Sequence, residues 1–124
     1  MKKILVLDDD KNILEVLEET LQYSNYKVKV IANSKNLFNI INEFKPDLLL
    51  LDFLLLDDNG GEICFNLKND PKTQHLPIIL ISGYSSLDQM QEIYGCDAYI
   101  AKPFDLEPLL QTISKCINKA EINL

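Results

Sequence analysis

The sequence predicts an α/β domain in which helices cover both faces of a parallel sheet, and three observations carry that expectation. Short apolar runs recur at Ile4–Leu7, Leu48–Leu51, Ile78–Ile81 and, more weakly, Ala98–Ala101, each apolar at consecutive positions rather than at alternate ones. Strands buried on both faces read this way. Between the runs the spacing of apolar residues becomes helical, so strand and helix alternate five times. Finally, 124 residues with 47% hydrophobic and 25% charged side chains are what one packed domain, residues 1–124, requires.

The first strand stops at Asp8-Asp9-Asp10, and Asp10 stands where the N-cap of a helix with the stripe Ile13, Leu14, Leu17 and Leu21 is expected. Lys27-Val28-Lys29-Val30-Ile31 alternates instead, as an edge strand with one wetter face does. Ser34 is the expected N-cap of a second helix carrying Leu37, Phe38, Ile41 and Phe44. The third strand ends at Asp52, and Gly60-Gly61 introduce a short third helix marked by Ile63 and Leu67. Strand four ends at Ser82 and is followed by a short helix with Leu87, Met90 and Ile93. Strand five runs into Lys102-Pro103, and Leu106, Leu109, Leu110, Ile113 and Ile117 define the last helix, with Pro108 tolerated in its first turn. Right-handed crossovers between such elements build a doubly wound layer of flavodoxin-like strand order 2-1-3-4-5. Ligands of these sheets bind beyond the carboxyl ends of the strands, at the switch point between strands 1 and 3.

Composition excludes several function classes. Nineteen acidic residues against 12 lysines and no arginine give a net charge of -7, which argues against a nucleic-acid partner. No apolar run approaches the roughly 20 residues that span a bilayer, and the apolar start after Met1-Lys2-Lys3 is too short for a signal-peptide core. Cys64, Cys96 and Cys116 are odd in number and widely spaced, so reduced thiols in a cytoplasmic protein are the simplest expectation. His75 lies in a polar loop and reads as a surface residue.

The carboxyl ends carry the chemistry. Strand 1 ends in Asp8-Asp9-Asp10, strand 3 in Asp52, strand 4 in Ser82 and strand 5 in Lys102. Taken singly, each has an ordinary reading as a cap, a turn residue or an exposed side chain. Taken together, carboxylates gathered at adjacent strand ends repel one another and need a cation to offset them. Clustered carboxylates are hard oxygen ligands suited to Mg²⁺, which keeps waters that a phosphate oxygen can replace. Beside such an ion and an ammonium, a carboxylate can attack a phosphoryl group and become an acyl phosphate. Asp52, on the central strand, is best placed for that attack, with Ser82 to donate a hydrogen bond and Lys102 to pair with the charge.

These residues resemble the receiver domain of two-component response regulators over essentially the whole chain: Ile4-Leu5-Val6-Leu7-Asp8-Asp9-Asp10, then Asp52, then Leu76-Pro77-Ile78-Ile79-Leu80-Ile81-Ser82, then Tyr99-Ile100-Ala101-Lys102-Pro103-Phe104. The resemblance implies Asp8 and Asp9 as the acidic pair for Mg²⁺, Asp9 directly and Asp8 largely through water, with the backbone carbonyl of Leu54 completing the protein's ligands. It implies Asp52 as the phosphoacceptor, Ser82 as the switch hydroxyl, Tyr99 as the aromatic that turns inward, and Lys102 before a cis proline bond. It also implies a histidine kinase or histidine phosphotransfer protein as donor, and output to a protein partner through the face of helix 4, strand 5 and helix 5. The chain departs from the family at Leu56, where a proline is usual, and the fourth helix is shorter by about two residues. Bulky Leu54 and Tyr84 at the positions flanking the site imply slow hydrolysis of the acyl phosphate.

Two other readings compete. Asp8-x-Asp10 after an apolar strand also resembles the first motif of haloacid dehalogenase-like phosphatases, with Asp8 as nucleophile, but that family needs acidic metal ligands after the lysine and leaves Asp52 unexplained. A receiver-shaped adaptor that is never phosphorylated is the other.

Overall fold

The computed structural model describes residues 1–83 and 89–122. Among the described residues ten elements alternate: β1 (Lys3–Leu7), α1 (Lys11–Tyr23), β2 (Lys27–Ile31), α2 (Leu37–Phe44), β3 (Leu48–Asp52), α3 (Gly60–Lys68), β4 (Ile78–Ser82), α4 (Met90–Tyr94), β5 (Ala98–Ala101) and α5 (Leu106–Ile122). The strands form one parallel sheet in the order β2-β1-β3-β4-β5, the order expected from the alternation. Among the described residues no helix is long and apolar enough to cross a membrane.

The period of two along each strand divides the runs between two cores. Ile4, Val6, Leu48, Leu50, Ile79 and Ile81 face one side, against Leu14, Leu17 and Leu21 of α1 and Leu109, Ile113 and Ile117 of α5. Leu5, Leu7, Leu49, Leu51, Ile78 and Leu80 face the other, against Leu37 and Ile41 of α2, Ile63, Cys64 and Leu67 of α3, and Met90 of α4. Strands β1, β3 and β4 are thus sealed on both faces, which is why their sequences are continuously apolar. At the edge strand β2, Val28 and Val30 are half-buried while Lys27 and Lys29 are exposed. The weaker run at β5 is half-buried at Ala98, Tyr99 and Ile100.

Asp10 caps α1, its carboxylate accepting from the amides of Asn12 and Ile13. Ser34 does not cap α2. The helix begins after Asn36, which sits in the left-handed region at φ 60°, and the Ser34 hydroxyl instead donates to Asp57. Three expected core positions are also exposed: Phe38 at 45% and Ile93 at 53%, because helices this short anchor through few residues, Leu37 and Ile41 in α2 and Met90 in α4, and Leu106 at 37%, the first residue of α5. Leu87 lies outside the described residues.

Candidate functional site

Parallel pairing carries the backbone past the last strand residues and fixes four side chains along one edge. The Asp8 amide donates to Ile31 O (3.2 Å), the Phe53 amide to Ile81 O (2.8 Å) and the Lys102 amide to Ser82 O (2.8 Å). Asp8, Asp52, Ser82 and Lys102 therefore stand at neighbouring strand ends despite separations of up to 94 residues. Asp8 (1%), Asp52 (6%) and Ser82 (2%) are nearly sealed from solvent, whereas Asp9 is half-buried.

Lys102 reaches into this group, its ammonium lying 3.1 Å from Asp8 Oδ2 and 3.2 Å from Asp52 Oδ1. The other Asp8 oxygen accepts from the Asp10 amide at 2.9 Å. One carboxylate oxygen from each of Asp8, Asp9 and Asp52 lies within 4.8 Å of the other two. One ammonium against three carboxylates leaves excess negative charge in a poorly solvated place. Burial and the Asp8 carboxylate accordingly push the Asp52 carboxyl above its usual range, with Lys102 opposing them. At Lys102 burial disfavours the charge, but Asp52 and Asp8 outweigh it and raise the ammonium's pKa, so the cation stays. Oxygen-only donors at this spacing, with surplus charge, fit a small hard divalent cation.

The segment between β3 and α3 closes the site. Leu54 pairs with Asn59 in an isolated antiparallel bridge, bonded from the Leu55 amide to Asp58 O (3.1 Å) and from the Gly60 amide to Phe53 O (2.6 Å). Neither bond uses the Leu54 carbonyl, while the Leu54 side chain is 57% exposed. Gly60 is compulsory here, because a Cβ would sit 2.0 Å from the Asp52 carbonyl oxygen. The loop is tied on two sides: the Leu56 amide donates to Asp9 Oδ2 (2.8 Å), and Asp57 Oδ2 accepts from the amide and hydroxyl of Ser34 (3.1 and 2.9 Å). Those Ser34 bonds hold the Asp57 carboxyl below its ordinary range.

Asp8, Asp9, Asp52 and Lys102 are thus brought together, with Ser82 buried at the adjoining strand end. Tyr99 lies further back on β5, opposite Leu80, half-buried against the α2–α3–α4 core. Lys102-Pro103 is cis. Tyr84 falls outside the described residues, and His75 is exposed ahead of β4, at the other end of the sheet. Sequence reasoning missed the positioning work of Gly60 and the Asp9–Leu56 and Ser34–Asp57 ties. The cluster Asp57-Asp58-Asn59-Gly60 was a turn signal, but it could not say which carboxylate would find which amide.

Comparison with known proteins places this geometry among relatives. Residues 4–114 match the family model described as the response regulator receiver domain. Response regulator ArlR of Staphylococcus saprophyticus is 36% identical over 96% of this chain, which spans about half (54%) of that relative's length. The polar-differentiation response regulator DivK of Brucella anthropi is 26% identical, with 96% of this chain and 98% of the relative aligned. Among solved structures, a CheY-like receiver domain protein from Methanospirillum hungatei superposes with TM-score 0.89 at 28% identity, covering 100% of this chain and 99% of that one. The response regulator TrrA of Thermotoga maritima, solved in complex with Mg²⁺-BeF, gives TM-score 0.81 at 30% identity over 94% of this chain and 99% of its own.

Proposed function

The chain belongs to the response regulator receiver domain family, and from that premise we propose that Asp52 accepts a phosphoryl group from a phosphohistidine donor, making the domain a phosphorylation-dependent switch. The observation that carries the reading is the Lys102 ammonium shared between Asp8 and Asp52, in a three-carboxylate cluster at the switch point between β1 and β3. In the transfer a carboxylate oxygen of Asp52 forms the new bond to phosphorus, the histidine nitrogen–phosphorus bond breaks with its electron pair going to the nitrogen, and a proton already on the ring or taken from water makes the leaving group neutral imidazole. Lys102 stays within reach of the phosphoryl oxygens and offsets the charge they bring. Ser82, buried beside Asp52, would donate its hydroxyl to the same group, and Tyr99 would follow it inward.

Asp8, Asp9, Asp52 and the Leu54 carbonyl, which the loop bridge leaves unused, would hold Mg²⁺, directly or through water. When bound, the ion neutralises the carboxylates and lets a phosphoryl oxygen enter their midst. The domain assists its own phosphorylation and turns over no separate substrate. We assign 1–124 to one receiver domain acting in the cytoplasm, with a sensor kinase or phosphotransfer protein as donor and a protein target on the α4-β5-α5 face.

Labelling with a small radioactive phosphodonor such as acetyl phosphate tests the assignment. Loss of label in Asp52→Asn with retention in Asp8→Asn supports it; the opposite pattern would make Asp8 the nucleophile, as in the phosphatase reading. Both Asp8 oxygens are already engaged, by Lys102 and the Asp10 amide, which favours Asp52. A protein that shows no Mg²⁺ affinity in calorimetry and takes no label would be the unphosphorylated adaptor.

A further inference from the structure

The three carboxylates of the cluster are not held alike. Asp8 has one oxygen on the Lys102 ammonium (3.1 Å) and the other on the Asp10 amide (2.9 Å), and Asp52 shares the same ammonium (3.2 Å). Asp9 is only half-buried and has no ion pair among the described residues, while the like charges of Asp8 and Asp52 drive it toward solvent. Among the described residues one hydrogen bond holds its carboxylate in the cluster, the Leu56 amide donating to Oδ2 at 2.8 Å. The Leu56 side chain is 94% exposed, so what this residue brings to the site is its backbone N–H, which every amino acid but proline could supply.

The loop that presents this amide is anchored at the next residue. Asp57 Oδ2 accepts from both the amide and the hydroxyl of Ser34, in the segment between β2 and α2 (3.1 and 2.9 Å). The Leu54 carbonyl that would complete the metal's ligands lies on the same loop, two residues before Leu56. One short loop therefore carries one oxygen donor and restrains a second, and Ser34 pins it from outside the cluster. A carboxylate that an ion must first recruit from solvent binds it less tightly than one already in place, and groups that orient metal ligands are commonly worth 10- to 100-fold in affinity.

We propose that Leu56 and Ser34 are positioning residues for Mg²⁺: the Leu56 amide keeps the Asp9 carboxylate in the cluster, and Ser34, acting through Asp57, keeps the loop where that amide can reach. This rests on the reading of the cluster as the Mg²⁺ site. The coupling is reciprocal, so an ion that holds Asp9 also tightens the loop.

Calorimetric titration of the full chain with Mg²⁺, without phosphodonor, is the test, beside thermal unfolding in chelator. Leu56→Pro, which lacks the amide proton, should bind Mg²⁺ about tenfold more weakly than Leu56→Ala, which keeps it. Ser34→Ala should lose about threefold, and Ser34→Thr, which returns the hydroxyl, should recover it. In the wild type, hydrogen exchange followed by NMR should show the Leu56 amide proton slowed by Mg²⁺. Equal affinity in Leu56→Pro and Leu56→Ala, or a Leu56 amide whose exchange Mg²⁺ does not slow, would overturn the proposal and leave the Mg²⁺ site standing. So would variants that lower the metal-free Tm but bind Mg²⁺ as the wild type does, since ties that merely hold the loop predict that pattern. If Leu56→Pro fails to fold, the Ser34 pair decides: Ser34→Ala binding as tightly as Ser34→Thr overturns the proposal. A wild type with no saturable Mg²⁺ binding would overturn both this proposal and the reading beneath it.

Discussion

Replacing Asp52 by Asn should stabilise the metal-free protein while abolishing its response to Mg²⁺. With an effective dielectric constant near 20, two unit charges at 4.8 Å, the span that encloses one oxygen from each carboxylate, repel by about 3.5 kcal/mol, so Asp8 and Asp9 together oppose ionised Asp52 by about 7 kcal/mol. Lys102 at 3.2 Å returns about 5 kcal/mol. The balance, about 2 kcal/mol, disfavours the charge even before its burial is considered. An asparagine amide carries no charge and keeps the shape, and Lys102 retains Asp8. In chelator at low ionic strength and neutral pH, denaturant unfolding should therefore find the variant more stable by about 2 kcal/mol, a rise in Tm of about 8 °C for a domain of this size. The pH dependence has a definite sign. A carboxyl whose folded pKa is raised loses stability for the fold as pH rises through that value, so the gap should be open at neutral pH and close as the wild type is acidified through the raised Asp52 pKa. Magnesium reverses the order: at a hundredfold excess over its dissociation constant an ion adds about 2.7 kcal/mol to the wild type and should add far less to the variant. A variant less stable than wild type in chelator, or one that Mg²⁺ stabilises equally, would refute the charge argument.

Other perturbations read other parts of the site. Lys102→Gln leaves Asp8 sealed beside Asp52 without a cation, so metal-free stability should fall by about 3 kcal/mol in urea melts, and the loss should shrink when Asp52→Asn is added. Gly60→Ala drives a methyl into the Asp52 carbonyl, and a loss of about 3 kcal/mol or more should appear together with weakened Mg²⁺ binding in calorimetry. Leu54→Asn, at the exposed rim, should shorten the acyl-phosphate lifetime measured by loss of radiolabel; an unchanged lifetime would show that this side chain does not screen the site from water. Burial pushes the Cys64 thiol up to about 12 and the Cys96 thiol up to about 11, so a thiol reagent at about pH 8 should reach both only on unfolding, while half-buried Cys116 reacts first in the native protein.

Much of this architecture is legible in the sequence because burial on both faces leaves a direct mark. Leu48-Leu49-Leu50-Leu51 can be continuous only in a strand covered on each side, and strands of that kind joined by helical stripes leave few topologies once crossovers must be right-handed. Asp10 is legible for a local reason, since a cap binds amides two and three residues ahead. Ser34 misleads for the complementary reason: the same hydroxyl serves a cap or a distant carboxylate equally well, and Asp57, 23 residues away, supplied the carboxylate. Phe38 and Ile93 show that helical spacing marks a stripe without saying how much of it a short helix buries.

The sequence alone therefore determines the strands of the sheet and the strand ends that carry Asp8, Asp9, Asp52, Ser82 and Lys102, and narrows the strand order to a few, because those follow from periodicity, chain position and the handedness of crossovers. Only the tertiary structure decides that Lys102 bridges Asp8 and Asp52, that Leu56 and Ser34 tie down the loop, and that Gly60 must lack a side chain. Each of these depends on a distance of a few ångströms between residues far apart in the chain. Hydrophobic patterning does not encode such distances, since it is indifferent to which polar groups meet once the core has closed.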